Sequence, residues 1–206
     1  MTMTYDLNHP AVSYILAADP HIHPLFKKVK RVHVTFFDDD FEFLIFSIIG
    51  QQLSTKVVTI IFNRIKQLYP NLNPSDILNA PFDTLKSIGL SKQKIMYMKH
   101  LSEYFHQSYK HFITLSKNEK INALLSIKGI GPWTVDMYIM FVLKDENHFS
   151  IGDLGLREAL KKVYLKPLKT HQDILKATEK WSPYKSVVAH FLWDYWDFRH
   201  KENSDD

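Results

Sequence analysis

Six glycines in 206 residues leave this chain few places to turn sharply. Two of them, Gly129 and Gly131, stand two apart in the segment Ser126 to Trp133 (SIKGIGPW), and Pro132 follows at once. The apolar run behind Pro132 favours a helix. Proline suits a first helical position, where its missing N–H costs nothing. The segment is therefore expected to fold as helix, tight glycine corner, helix. Glycines at 129 and 131 can take φ > 0 and expose their amides, because no Cβ stands in the way. The following helix adds free N–H groups and a positive dipole end. An anion placed there would be held by backbone amides, as at other helix N-termini, and Lys128 adds a charge. A corner that only closes a turn would use the same glycines, so this motif alone does not decide between the two uses.

The rest of the chain reads helical almost throughout. Apolar spacing predicts helices near 10–18, 40–50, 54–69, 74–79, 81–87, 91–107, 117–125, 132–143, 153–163, 171–180 and 184–199. Ser91 stands where it can cap the helix that follows it, and Gly89 ends the one before. The stretch Val29 to Phe37 (VKRVHVTFF) is the one that reads as extended, and 201–206 reads as a disordered tail. No Pro/Gly/Ser-rich linker divides the chain, so any second lobe must be assembled from segments distant in sequence.

Composition narrows the class. Hydrophobic content of 45% and aromatic content of 14% fit a globular chain rather than a disordered one. The longest apolar run, Phe43 to Gly50, is too short to span a bilayer, so no membrane partner is expected. No signal peptide is visible at the N-terminus, and a cytoplasmic location, nucleoid-associated through DNA, is the expectation. Without cysteine there is no disulfide, iron–sulfur cluster or thiolate zinc site. The net charge of +4 permits an anionic partner without requiring one. His21 and His23 lack a third ligand at metal spacing, and Asp38, Asp39 and Asp40 lack the spacing of a calcium loop. Those aspartates are better placed to cap the next helix. No cofactor is called for.

After the glycine corner comes Phe149 to Leu160 (FSIGDLGLREAL), which sets Asp153 between two glycines at the start of an amphipathic stretch. Read alone, Asp153 is an ordinary helix cap. Taken together, GIGPWT followed by GDLGLR resembles the helix–hairpin–helix, Gly/Pro…Asp superfamily of DNA glycosylases. The resemblance extends to Ile48 to Val58 (IIGQQLSTKVV), similar to the segment that family sets in the DNA minor groove. It extends also to Gly89 to Phe105, similar to the middle helix, and to Trp181 to Trp196 (WSPYKSVVAHFLWDYW), similar to the C-terminal signature of the alkylpurine branch. The match is nearest to the 3-methyladenine DNA glycosylase II type, in a compact form without an N-terminal β domain.

The resemblance implies an all-α fold of two helical lobes with the active-site cleft between them. One lobe is expected near 38–147, including the hairpin 127–131, and the other near 5–37 plus 148–200. It implies a hydrolase of base excision repair, working as a monomer on double-stranded DNA that contains alkylated bases. Such an enzyme flips out 3-methyladenine or 7-methylguanine and releases it. Asp153 is the catalytic carboxylate by position. Its charge suits the oxocarbenium-like sugar left when a base departs. Trp133 stands two residues after the second hairpin glycine, where bifunctional relatives such as endonuclease III carry a Schiff-base lysine. Tryptophan cannot attack C1′, so no lyase activity is expected. Its ring suits a cationic base instead. The resemblance places Trp193 in the same base pocket, although core packing explains it as well; Met137, one turn beyond Trp133, can line that pocket too, but core packing is the better reading of it. It places Lys128, Gly129, Ile130, Gly131 and Thr134 at the DNA, and Gln52 where the family fills the gap left by the flipped nucleotide. It implies a monovalent cation on the backbone carbonyls of Leu125, Ile127 and Ile130, with no metal held by side chains. Lys185 stands where arginine is expected, which weakens a bidentate role there. Two other readings remain open at this point: a related glycosylase for other damaged bases, and a non-catalytic helix–hairpin–helix DNA-binding protein.

Overall fold

A computed structural model describes residues 1–164, 168 and 170–202. The chain divides into two compact units, one of Met1–Phe36 with Ile139–Asp206 and the other of Phe37–Tyr138.

The first unit opens with strand β1 (Thr2–Asp6) and helix α1 (Pro10–Ala18). A 3-10 turn (Pro20–Ile22), helix α2 (His23–Val29) and strand β2 (Arg31–Thr35) follow. The strands pair antiparallel, with Thr2 opposite Thr35 and Asp6 opposite Arg31. Tyr5, Val32 and Val34 point inward, while Arg31, His33 and Thr35 alternate outward, as the two-residue period of a strand requires. The extended reading of Val29 to Phe37 thus holds for Arg31–Thr35, but β1 and α2 were not foreseen. Both are short. Helix α2 buries little more than Leu25 and Phe26, too few positions to show a helical period.

The chain returns to this unit for the C-terminal helices α10 (Leu154–Tyr164), α11 (His171–Glu179) and α12 (Lys185–Glu202), numbered here in chain order ahead of α3 to α9 described below. The centre of α12 is buried on every side, through Val187, Val188, Ala189, Phe191 and Leu192. Phe26 of α2 lies against it, its ring 4.1 Å from that of Phe191. Beneath α1 sits a buried carboxylate, Asp19. It accepts from Trp181 Nε1 at 2.9 Å, from the Tyr164 hydroxyl and from Lys180 Nζ at 2.8 Å. Burial works to raise its pKa, but the hydrogen bonds from Lys180, Tyr164 and Trp181 outweigh it and hold the carboxyl below its usual range.

The sequence reading placed residues up to 147 in the other lobe, whereas the second unit ends at Tyr138. Hydrogen bonds explain the difference. The Ser186 hydroxyl lies 2.6 Å from the Asp145 carbonyl and 2.7 Å from that of His148. Tyr5 donates to Glu146 at 2.9 Å. These bonds tie residues 145–148 to β1 and α12.

The second unit is helical throughout its described length. It comprises α3 (Asp40–Gly50), α4 (Thr55–Leu68), α5 (Pro74–Asn79), α6 (Phe82–Ser87), α7 (Lys92–Phe112), α8 (Lys117–Leu125) and the start of α9 (Pro132–Phe141). Local chemistry sets the ends. Asp39 accepts the Glu42 N–H at 2.7 Å, and Ser91 accepts that of Lys94. Ser116 and Glu119 form a reciprocal capping box on α8. At the C-terminus of α5, Lys99 Nζ reaches the carbonyls of Ile77, Leu78 and Ala80, at 3.0 to 3.2 Å. Helix α7 runs five residues beyond the expected 107, because Phe112 continues its aromatic ladder 4.9 Å from Phe105. Helix α12 includes 201 and 202 of the expected disordered tail, and 203–206 lie outside the described residues.

Candidate active site

Asp153 enters α10 as its cap. Its carbonyl accepts the Arg157 N–H at 3.1 Å, and its Oδ1 accepts the Leu156 N–H at 2.8 Å. Capping alone would account for that much. A second donor comes from a different helix: Trp193 Nε1 of α12 donates to the same Oδ1 at 3.1 Å. The side chain is largely buried, at 8% exposed. Gly155 makes the arrangement sterically feasible. A Cβ there would stand 3.3 Å from Asp153 Oδ1 and 3.5 Å from Trp196 Cδ1.

Trp193 is itself held in place. Phe141 stacks on it at 6.0 Å with planes 23° apart, and the His190 ring lies 5.6 Å away. Burial pushes the His190 imidazole down to about 4, so it stays neutral near pH 7. Trp193 was expected as a base-cleft aromatic. It is half-buried, and its N–H is spent on the carboxylate. Lys185, in the neighbouring signature, pairs with Glu179 at 2.6 Å.

In the second unit the hairpin runs from the end of α8 into α9. Gly129 has φ +103°, and a Cβ on it would lie 2.2 Å from Tyr97 Cγ, so both conformation and space demand glycine. Its carbonyl accepts from Gln51 Nε2 at 2.9 Å. The Ile130 N–H closes the turn onto the Ile127 carbonyl at 3.0 Å. Gly131 does not follow the expectation. Its φ is not positive, and its carbonyl accepts the Val135 N–H at 3.1 Å as α9 begins. No atom lies within 4 Å of where its Cβ would stand. Glycine at 131 therefore leaves a gap on the outside of the turn rather than relieving strain within it.

The hairpin residues expected at DNA divide by burial. Lys128 is exposed and Trp133 is 38% exposed. Ile130 and Thr134 are buried, at 5% and 2%, and Met137 is 6% exposed. The side chains of Ile130, Thr134 and Met137 thus pack inside the protein, and any part for Ile130 and Thr134 at DNA falls to their backbone. Thr134 and Met137 belong to the length of α9 that is mostly buried as far as Met140, and Ile130 lies in the hairpin before it. Gln52 is exposed with φ +60°, in the short turn between α3 and α4. A side chain in that region is strained, and such strain concentrates at functional turns. Gln51, Gln52, Ser91, Gln93, Lys94 and Tyr97 line a cavity of about 180 Å³ beside it. Lys94 Nζ donates to the Ile49 carbonyl at 2.7 Å, and burial pushes its pKa down. Gln51, Tyr97 and Gly155 escaped sequence reasoning. Their roles depend on contacts across helices, and no spacing signals those.

Two of the three carbonyls that the resemblance implies for a monovalent cation, those of Leu125 and Ile127, keep acceptor capacity. Leu125 ends α8, where carbonyls lack intrahelical partners, and the Ile127 oxygen keeps a lone pair after accepting from Ile130. Three neutral oxygens suit a hard, singly charged ion. Among the described residues, no group of three or more His, Asp or Glu side chains is placed to hold a metal.

Comparison with known proteins identifies the family. Residues 45–183 match the family model described as "HhH-GPD superfamily base excision DNA repair protein". The chain is 31% identical to DNA-3-methyladenine glycosylase 1 of Schizosaccharomyces pombe, over 75% of this chain and 72% of that protein. It is 30% identical to the DNA-3-methyladenine glycosylase of Saccharomyces cerevisiae, over 89% and 78%. Among solved structures, a DNA-3-methyladenine glycosidase from Bacillus halodurans superposes with a TM-score of 0.77 at 28% identity, over 97% of this chain and 95% of that one. The Schizosaccharomyces pombe 3-methyladenine DNA glycosylase in complex with abasic DNA superposes at 0.75 and 27%, over 90% and 95%. The chain belongs to the HhH-GPD superfamily of base excision DNA repair proteins.

Proposed function

We propose that the chain is a DNA glycosylase that releases alkylated purines, 3-methyladenine and 7-methylguanine, and leaves the strand uncut. The observation that carries this reading is the buried carboxylate of Asp153, held through one oxygen by the Leu156 amide and the Trp193 indole. Capping α10 needs only the first of those donors. The second orients the group, as a site that must face developing positive charge requires.

The chemistry follows. The bond between C1′ and the purine nitrogen breaks, and its electron pair leaves with the base. Alkylation has already made that base cationic, so it departs neutral and needs no strong general acid. The sugar becomes oxocarbenium-like, and the Asp153 carboxylate stabilises it. Water adds to C1′ and gives up a proton, for which Asp153 is the nearest candidate acceptor in this reading. Gly129, Gly131 and Lys128 hold a phosphate near the lesion, without sequence preference. A cation on the carbonyls of Leu125, Ile127 and Ile130 would add positive charge at that phosphate. Trp133, 38% exposed, offers its ring to a cationic base, and Gln52 fills the vacated stack.

The relatives named for 3-methyladenine support this choice over oxidised or mismatched bases. The test is incubation with methylated duplex in the presence of borohydride. Free methylated purine should appear, with an intact strand until alkali is added and no trapped protein–DNA adduct. A trapped adduct, or release of 8-oxoguanine in preference to methylpurines, would reject the reading.

A further inference from the structure

The first unit carries a depression rimmed by charged side chains, away from the Asp153 carboxylate in sequence and in lining. It has a volume of about 300 Å³ and is lined by Asp6, Leu7, Asn8, Lys27, Lys30 and Arg31. Lys27 lies near the end of α2, Lys30 terminates that helix, and Arg31 begins β2. All three are exposed. Among the described residues, none of the three has an acidic side chain within ion-pair distance. The single carboxylate in the lining, Asp6, accepts the Asn8 N–H at 2.9 Å and shapes the turn into α1.

Lys30 sharpens the case. Its φ is 61° and its ψ −45°, a region costly for any residue with a Cβ, while its N–H closes α2 onto the Phe26 carbonyl. Glycine is the conformational default at such a helix end. The turn itself gives no reason for lysine, whereas three exposed cations around one depression, set against the single carboxylate of Asp6, do. The lining has no aromatic side chain on which a base could stack, which points away from single-stranded bases and toward phosphate. Next to Arg31, the outward face of the two strands presents Thr4 and His33, hydrogen-bonded to each other at 2.9 Å. They extend the polar surface along β1 and β2.

We propose that Lys27, Lys30 and Arg31 form a second DNA-backbone site, which holds duplex phosphates independently of any lesion. It rests on the reading that the substrate is duplex DNA. Such a site raises residence on undamaged DNA, where a repair enzyme spends its search, without touching the chemistry.

The test compares three full-length proteins: wild type; Lys27→Gln, Lys30→Gln, Arg31→Gln; and the charge-preserving Lys27→Arg, Lys30→Arg, Arg31→Lys. Binding to an undamaged duplex of roughly thirty base pairs is followed from about 50 to about 200 mM salt. Each lost phosphate contact removes about 0.9 from the slope of log affinity against log salt. The glutamine variant should therefore lose about 2 to 3 units of slope and bind at least about tenfold more weakly at the low-salt end. The charge-preserving variant should match wild type. Single-turnover base release at saturating protein should stay within about twofold for all three, since none touches Asp153. An unchanged slope in the glutamine variant overturns the site, whatever base release shows. Equal loss in the charge-preserving variant overturns it too, by showing that shape and not charge matters. Stronger charge-dependent binding to vesicles of three parts phosphatidylcholine to one part phosphatidylserine than to duplex would assign the patch to lipid and overturn it. Should wild type release no base while the slope difference persists, the glycosylase reading falls and the DNA site stands.

Discussion

One oxygen of Asp153 receives two donors, and they have different origins. The Leu156 amide is a helix-end group that almost any capping aspartate would satisfy, whereas the Trp193 indole reaches across from α12. Trp193→Phe keeps an aromatic ring on the Phe141 side and removes the N–H together with one ring of the indole. A hydrogen bond to a charged group is worth about 1.5–3 kcal/mol, so single-turnover base release should fall roughly 10- to 100-fold. Equilibrium binding to abasic duplex should hardly change. If release is unaffected, the indole is packing and does not position the carboxylate. The capping place of Asp153 was legible, because an aspartate between glycines at a helix start is a local pattern, while its catalytic role came only with the resemblance. The role of Trp193 was not legible. An aromatic near the chain end reads equally as core or as pocket, and only the fold reveals which atom its N–H meets. Gly155 shows the same limit, since its close approach to Asp153 and Trp196 involves residues on two helices.

The hairpin makes the element-scale case, and its two glycines behave differently. Gly129→Ala meets both a positive φ and the Tyr97 ring at 2.2 Å. It should destabilise the chain by at least about 2 kcal/mol. Gly131→Ala meets neither, so the fold should keep its thermal midpoint. If an incoming phosphate must approach that open backbone, Gly131→Ala should still weaken duplex binding. Thermal melts and duplex titrations on the two variants separate the cases; equal melting losses would refute the distinction. Sequence foresaw a helix–turn–helix here because glycine, proline and apolar periodicity agree. It could not assign the positive φ to one glycine alone, since that depends on Tyr97 and Gln51 from other helices. Long periodic helices such as α4 and α7 were readable for the same reason that α2 was not: periodicity needs several turns to show.

For the molecule as a whole, buried titratable groups set the response to acid. His190 is held neutral by burial, with its folded pKa near 4 against an ordinary value of 6.5. Between those values the unfolded chain binds a proton that the native chain does not. Stability should therefore fall as pH drops from about 6.5 to about 4, by up to roughly 3 kcal/mol in total. Asp19, held below its usual range by Lys180, Tyr164 and Trp181 against the opposing effect of burial, adds a further loss only at lower pH. Urea midpoints across that span, for wild type and His190→Leu, provide the check: the variant should lose the upper part of the slope, and an identical profile would contradict the assignment. The account as a whole depends most on Asp153, and one comparison tests it most directly: single-turnover release of 3-methyladenine from methylated duplex by wild type and by Asp153→Asn, with affinity for abasic duplex measured alongside. The substitution removes the charge and nearly keeps the shape, so release should drop by roughly 10²- to 10⁴-fold while affinity stays within about threefold. Release by Asp153→Asn at the wild-type rate would contradict the account and leave Asp153 as no more than the cap of α10.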